Sequence, residues 1–200
     1  MLNDHEFETI QHQFEAFDAK RETIIKESRD ILKLSKQAIY SIHRDDTAKA
    51  ETQLKEAEAI KTRLEQEIGK DPDLRTGGFS GALEEYVEAK CLLGFVHQGR
   101  ILTMKELTVL PEEYLLGLAD LTGELMRRAV IAATKHRTAD VKKIHEAVEG
   151  LYGQFVRFDF RNGELRRKYD SIKYNLQKVE QMLYDLSLNK RPADEKEAEE

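Results

Sequence analysis

Apolar residues recur at intervals of three and four along most of this chain, and that interval is the period of an amphipathic α-helix. The clearest segment is 111–134, in which apolar residues cover more than half of the predicted helix circumference. Its apolar positions are Leu115, Leu116, Leu118, Ala119, Leu121, Leu125, Met126, Val130 and Ile131. Pro111 fits the first turn of such a helix, where its missing N–H costs nothing. The pattern predicts one long, largely buried central helix.

Helices are also predicted on both sides of the central helix. The first begins at Asn3 or Asp4 and runs to about His43, and its heptad-like apolar seam predicts packing along its length. A thinner stripe over 47–68 predicts a second helix, which pairs with the first as a hairpin and ends at Gly69. The remaining helices are expected over 80–98, as one turn within 101–110, after a cap formed by Thr138 or Asp140, and over 164–188. No segment alternates like a strand, so the predicted class is all-α.

The composition agrees with a bundle of long helices. Hydrophobic residues make up 40% and charged residues 35% of the 200 positions, with no Trp and three Pro. We predict one helical domain over 1–190, in which an N-terminal hairpin (1–69) is joined through the connector 70–78 to C-terminal helices (79–188). Residues 189–200 are mostly charged and are predicted to be disordered.

The single cysteine, Cys91, lies in an apolar run and cannot form an intramolecular disulfide, so a buried and inert thiol is expected. The N-terminal residues lack the basic and apolar regions of a signal peptide. No run reaches the roughly 18 apolar residues that a membrane span needs. A cytoplasmic protein without a membrane partner is the prediction.

Two pairs of carboxylates interrupt the apolar helices. Asp120 and Glu124 are four residues apart on the central helix, which puts them on one face, roughly 6 Å apart along the axis. Glu85 and Glu88 are three residues apart in the helix over 80–98, with Glu84 beside them. Burying an unpaired charge costs several kcal/mol. The acids therefore need a partner, and basic side chains, a proton or a metal ion would each supply one.

If the two helices pack side by side, the four carboxylates form a cluster of oxygen ligands suited to Mg2+ or Mn2+. Phosphoryl chemistry commonly uses such sites. The plainer interpretation is a solvated helix surface, on which Glu at these spacings is ordinary. A di-metal bundle of the ferritin type is disfavoured, because its Glu-x-x-His motifs are absent from both GELMR and EYVEA.

Basic residues are not evenly spread along the chain, although the formal net charge is -6. A helix surface rich in Arg and Lys can follow a phosphate backbone. The alternative is a set of solvated faces that form ion pairs with Glu. The basic residues concerned are Arg127, Arg128, Lys135, Arg137, Lys142, Lys143, Arg157, Arg161, Arg166, Arg167 and Lys168.

Three strings of the sequence resemble one known family. Helices of translin-associated factor X (TRAX) resemble YLLGLADLTGELMRRAV (114–130) and ALEEYVEA (82–89). The C-terminal helix of translin is similar to LRRKYDSIKYNLQKVEQMLYDLSL (165–188). The matches occur in family order, and the resemblance extends over roughly 5–190. On these motifs the chain is identified as an archaeal-type member of the translin/TRAX family.

The resemblance implies a translin-like bundle of about seven long helices that oligomerises into a closed, barrel-like shell, expected to be a homo-octamer. It also implies a Mg2+- or Mn2+-dependent endoribonuclease that binds RNA inside the shell, with single-stranded DNA as an open second ligand. The catalytic and metal-binding residues that it implies are Glu85, Glu88, Asp120 and Glu124, of which Glu88 and Glu124 would bind the metal directly. Glu84 lies just outside the motif and is kept as an auxiliary.

RNA binding is assigned to five basic residues, namely Arg127, Arg128, Arg166, Arg167 and Lys168. The alternative function is a non-catalytic oligomer of the translin type that binds single-stranded RNA or DNA. It predicts RNA binding without metal-dependent cleavage. GTP binding is not expected, because ATKHRTADV is no counterpart of the nucleotide element proposed in translin.

Overall fold

The computed structural model describes residues 3–188, which are helical over almost their whole length. The helices are α1 (Asp4–His43), α2 (Thr47–Lys70), α3 (Gly77–Gln98), α4 (Met104–Leu107), α5 (Pro111–Thr134), α6 (Thr138–Phe155) and α7 (Glu164–Leu188). A turn of 3-10 helix, Pro72–Leu74, lies between α2 and α3. Residues 3–188 contain no strand, so the predicted all-α class is confirmed. The segment 189–200, predicted to be disordered, lies outside the described residues.

The helix ends follow local capping chemistry. The Asp46 carboxylate accepts the N–H of Lys49 at 3.3 Å at the start of α2. Gly99 ends α3 as predicted, in the left-handed region with φ of 66° that glycine adopts without strain. The short α4 is held by a capping box, in which Thr103 and Glu106 each accept the other's backbone N–H.

Three predicted helix boundaries are wrong. Helix α3 begins at Gly77 rather than at about 80, because the Thr76 hydroxyl caps it by accepting the N–H of Phe79 at 3.2 Å. Helix α2 continues through Gly69 and ends at Lys70, because the residue before Pro72 is forced into an extended conformation. Helix α6 begins at Thr138, so neither Thr138 nor Asp140 is its cap. The tight turn before α6 places Arg137 at the cap position instead, with its N–H bonded to the carbonyl of Ala132 at 2.9 Å.

Residues Met1–Gly117 form the first of two compact units. Helix α1 packs along α2, as the predicted hairpin requires, and also along α3. The seam residues Ile31, Ala38 and Ile42 are fully buried. The first half of α1 is not packed along its length as predicted, since Phe14 is 67% exposed. Helix α2 is shorter than α1, and the apolar seam continues beyond the end of its partner.

Cys91 is buried in the first unit, as predicted. Its Sγ lies 3.7 Å from the carbonyl oxygen of Leu102. Burial raises the pKa of the thiol to about 12. Because the thiolate is the reactive form, this side chain is chemically inert at neutral pH.

Residues Leu118–Glu200 form the second unit, to which α5 contributes from Leu118 onward. Helix α6 packs along α7, and their contact buries Val148 and Val179. A buried polar link also joins α7 to α5, because the Asn175 amide donates to the Thr122 hydroxyl at 2.9 Å. No helix within residues 3–188 is long and apolar enough to cross a membrane.

The beginning of α5 is fixed in the first unit by a buried ion pair. The Glu113 side chain, only 2% exposed, accepts hydrogen bonds from the Arg75 guanidinium and from the N–H of Leu110 at 2.9 Å. Arg75 also lies over the ring of Phe79, 5.2 Å from its centroid. Glu113 therefore caps α5 and ties its first turn to the segment before α3.

We predict that Glu113→Ala lowers the free energy of unfolding by about 3 kcal/mol, because it leaves the Arg75 cation without its buried partner. Urea denaturation followed by circular dichroism at fixed protein concentration measures the change. Glu112→Ala is the matched control, since Glu112 is an exposed acid in the same helical turn and should change stability by less than about 0.5 kcal/mol. Equal effects of the two substitutions would contradict a structural role for the Arg75–Glu113 pair.

Candidate functional site

The four predicted carboxylates lie on two helices. Glu85 and Glu88 belong to α3 in the first compact unit, whereas Asp120 and Glu124 belong to the part of α5 in the second unit. Each pair has its own surroundings.

The α3 pair lies at the edge of the core of the first unit. Glu88 is 7% exposed and lies beside Val87 and Ala89, which are completely buried. Glu85, three residues earlier, is partly exposed, and its Oε2 lies 3.8 Å from the Nζ of Lys36 on α1. A carboxylate buried to this degree is uncommon, because removal of its hydration is costly.

Gly117 brings the start of α5 against the turn of α3 that carries this pair. A Cβ atom added at Gly117 would lie 2.6 Å from the backbone oxygen of Glu84 and 2.7 Å from the Cβ of Val87. Only glycine allows two backbones to approach so closely. Sequence reasoning missed this residue, although a glycine inside a long apolar helix, far from its end, is a signal of close packing.

The acids of α5 have basic neighbours within the second unit. Asp120 accepts a 2.7 Å hydrogen bond from the Nζ of Lys168 on α7. Glu164, one turn earlier on α7, lies 3.9 Å from the same nitrogen. The Oε2 of Glu124 lies 3.5 Å from the Nη1 of Arg127. The Asp120 and Glu124 side chains are partly exposed, at 37% and 24%, so the expected burial of this pair is only partial. Of the partners considered for the acids, basic side chains lie beside both.

The residues predicted to bind RNA therefore differ in their surroundings. Lys168 and Arg127 lie beside the carboxylates of α5. Arg166 is exposed, stacks over the ring of Tyr169 at 5.3 Å and lies 3.4 Å from Asp170. Arg167 is exposed and Arg128 is half-buried. Arg166 and Arg167 thus present positive charge at the surface near the beginning of α7.

The donor set fits a hard divalent cation by type, because it consists of carboxylate oxygens. Within residues 3–188, no three His, Cys, Asp or Glu side chains are grouped so that they could hold a metal ion by themselves. Mg2+ is usually held by one or two carboxylates together with water and substrate phosphates. Each acid pair, taken by itself, has the number of carboxylates with which proteins usually hold Mg2+.

Comparison with known sequences gives one family. The family model described as the Translin family matches residues 19–190. An uncharacterized protein of Methanocaldococcus jannaschii is 33% identical over 166 residues, which cover 81% of this chain and 74% of that protein. Translin-associated protein X of Pongo abelii is 28% identical over an alignment of 227 positions, covering 91% of this chain and 77% of that protein.

Solved structures share the fold. The crystal structure of apo-NeC3PO superposes with a TM-score of 0.85 at 27% identity, covering 93% of this chain and 98% of that one. The structure of AfC3PO in complex with duplex RNA gives a TM-score of 0.85 at 23% identity, covering 92% of this chain and 100% of that one. Both matches extend over nearly the whole length of each chain.

We predict that Gly117→Ala lowers the free energy of unfolding by about 2 kcal/mol, because the added methyl group would force α5 away from the backbone of Glu84. Helix propensity alone predicts the opposite sign, since alanine is favoured over glycine by about 1 kcal/mol. Gly123→Ala on the same helix is the control. Its added Cβ would meet only the Asn175 amide nitrogen, at 3.8 Å, so a gain of up to about 1 kcal/mol is expected. Thermal and urea denaturation measure both, and stabilisation by both substitutions would contradict the close approach at Gly117.

Proposed function

Since the chain belongs to the Translin family, we propose that it is an RNA-binding homo-oligomer that cleaves RNA with a divalent metal ion. The observation that carries the cleavage proposal is the burial of the Glu88 carboxylate on α3, which is 7% exposed. A buried acid costs stability, and acids kept at such a cost are concentrated at functional sites.

RNA is the proposed ligand for two reasons. The chain shares its fold with AfC3PO, which was solved with duplex RNA. Arg166 and Arg167 also present exposed positive charge near the start of α7, and such side chains bind phosphates independently of base sequence.

A closed homo-oligomer, which we propose to be an octamer, agrees with the exposed apolar residues. Phe7 and Phe14 on α1 and Tyr184 and Leu188 on α7 are each more than half exposed. Such side chains are favoured at interfaces between subunits, where they leave water. RNA bound inside the shell would then contact several copies of the chain.

We assign the catalytic role to Glu85, Glu88, Asp120 and Glu124. The helical period supports this choice, because Asp120 and Glu124, four residues apart, share one face of α5, and Glu85 and Glu88, three apart, share one face of α3. Burial fixes the carboxylate of Glu88, and the 2.7 Å bond from Lys168 orients that of Asp120. When bound, Mg2+ or Mn2+ would lower the pKa of an attacking water and offset charge on the phosphate. Glu88 and Glu124 are proposed as its direct ligands.

A non-catalytic RNA-binding oligomer is the second candidate. It is favoured by the basic neighbours of the α5 acids, because Lys168 and Arg127 balance Asp120 and Glu124 as a purely structural ion-pair network would. This candidate predicts RNA binding of the same strength with Mg2+, with Mn2+ and with EDTA, and cleavage in none of them.

Cleavage of a labelled single-stranded RNA distinguishes the two. We expect cleavage with Mg2+ or Mn2+ and none with EDTA, and we expect Glu88→Gln and Glu124→Gln each to reduce the rate by about 100-fold or more, because each removes a negatively charged ligand. Glu112→Gln is the control, since Glu112 is exposed on α5 and has no proposed role. Light scattering must give the same oligomeric size for all four proteins.

Cleavage that persists in both variants would place the activity elsewhere. Binding without cleavage under every metal condition would exclude the nuclease and leave the second candidate.

The proposed contacts with RNA phosphates can be tested separately from cleavage, by the salt dependence of RNA binding. We predict that Arg167→Gln weakens the binding of all RNA sequences to a similar extent and reduces the slope of log Kd against log salt concentration by about 1. Fluorescence anisotropy in EDTA at several salt concentrations measures the slope. Lys20→Gln, on the exposed part of α1, is the control and should leave the slope unchanged. An unchanged slope for Arg167→Gln would remove this residue from the proposed RNA-binding surface.

A further inference from the structure

Four aromatic rings in the second unit form a continuous series, which we call the ring ladder, made up of Phe155, Tyr169, Phe160 and Phe158. Phe155 stacks on Tyr169 at 6.5 Å between centroids, and Tyr169 contacts Phe160 at 5.8 Å. Phe158 then stacks on Phe160 at 5.3 Å, with only 14° between the ring planes. The ladder leads from the core, where Phe155 is 1% exposed, to the surface, where Phe158 is 49% exposed.

The outermost ring is held in place. The N–H of Phe158 donates to the carbonyl of Phe155 at 3.1 Å, which fixes the turn after α6. One face of the Phe158 ring is stacked on Phe160, so a flat ligand has the rest of the ring to contact. Because the ring is already ordered by this stacking, a ligand that stacks on it loses little side-chain entropy.

Cations surround the ladder. Arg157 and Arg161 flank Phe158 and Phe160 in sequence, and both are exposed. Arg166 lies over the ring of Tyr169, 5.3 Å from its centroid. Three acids lie in the same stretch: Glu164 is directed to Lys168, Asp170 lies 3.4 Å from Arg166, and Asp159 is exposed. The balance around the exposed ring is positive.

We propose that Phe158 is a stacking platform for an unpaired base of RNA, with the adjacent phosphates bound by Arg157 and Arg161. This inference rests on the proposed RNA-binding function and defines its substrate class as RNA with unpaired nucleotides. Aromatic side chains interleaved with arginines bind single strands in this way, because every base has a stacking face. The bases of a blunt duplex are already stacked on each other and have only their terminal faces to offer.

The alternative ligand for this surface is a second copy of the chain. Charge argues against a two-fold contact centred on this surface, because it would bring Arg157 and Arg161 of one copy close to the same residues of the other. RNA supplies the opposite charge.

The test compares the binding of a single-stranded RNA and of a blunt duplex, both in EDTA so that cleavage cannot interfere. Phe158→Ala should lower the affinity for the single-stranded RNA by about 5- to 100-fold and the affinity for the duplex by less than about twofold. The salt slope should stay unchanged, because no cation is removed. Val156→Ala is the matched control, since Val156 is 54% exposed on the same segment and has no ring.

Two further variants keep the test decisive. Phe158→Trp should retain the affinity for the single strand, because indole also stacks. Phe158→Leu keeps a large apolar side chain but removes the ring, so it should still lower the affinity for the single-stranded RNA. This variant tests the inference even if Phe158→Ala folds poorly. A 2-aminopurine base in the RNA should lose fluorescence on binding to the wild type and recover it with Phe158→Leu.

The outcomes separate this inference from the proposed function. If the wild type binds neither RNA, the proposed function is wrong and the inference is lost with it. If the wild type binds RNA and Phe158→Ala and Phe158→Leu bind the single strand equally well, only the stacking platform is wrong. A change of oligomeric size in Phe158→Ala would assign the surface to contact between copies and would also overturn the inference.

Discussion

The close approach of two backbones at Gly117 is the constraint on which the candidate site depends. Helix α5 is fixed by Glu113 at its first turn and meets the carbonyl of Glu84 at Gly117. Because it is held at two points within the first unit, this part of α5 can neither slide nor rotate freely against α3. The buried Glu88 lies one turn beyond Glu84 on α3. The surroundings of the α3 acid pair therefore depend on a residue that has no side chain.

Periodicity predicted the regular features of the chain. The extent of α5, the end of α3 at Gly99 and the burial of Cys91 follow from local patterns, and the structure has all three. Two kinds of feature could not be predicted: a helix end at which two residues give competing signals, and the extent of packing along a helix whose partner is shorter. Gly69 and Pro72 both signal a helix end, and proline dominates because it excludes the helical conformation of the preceding residue. The seam of α1 identifies its apolar face but not how far α2 extends along it.

In the candidate site, too, some residues could be predicted from the sequence and others could not. The acids could be found from sequence, because carboxylates in an apolar helix are costly and few. Their neighbours could not be found, since Lys168 is 48 residues from Asp120 and only the packing of α7 against α5 brings the two side chains within 2.7 Å. Lys168 was predicted to bind RNA from its place in a basic run, and its position beside Asp120 gives it a second possible use. A cation at this position offsets the charge of Asp120 and would compete with a metal ion for the same oxygen.

The first turns of α7 connect the two parts of the proposed RNA surface. Lys168 bonds to Asp120, while its neighbour Tyr169 is part of the ring ladder and carries Arg166 over its ring. Successive residues of a helix point in directions about 100° apart. One turn of α7 therefore places Lys168 against Asp120 and Tyr169 against the other rings. A base stacked on Phe158 would rest, through Phe160 and Tyr169, on the same helical turn that orients Asp120. Lys168 and Tyr169 are adjacent in sequence, so the ring ladder and the cation beside Asp120 are carried by the same turn of α7.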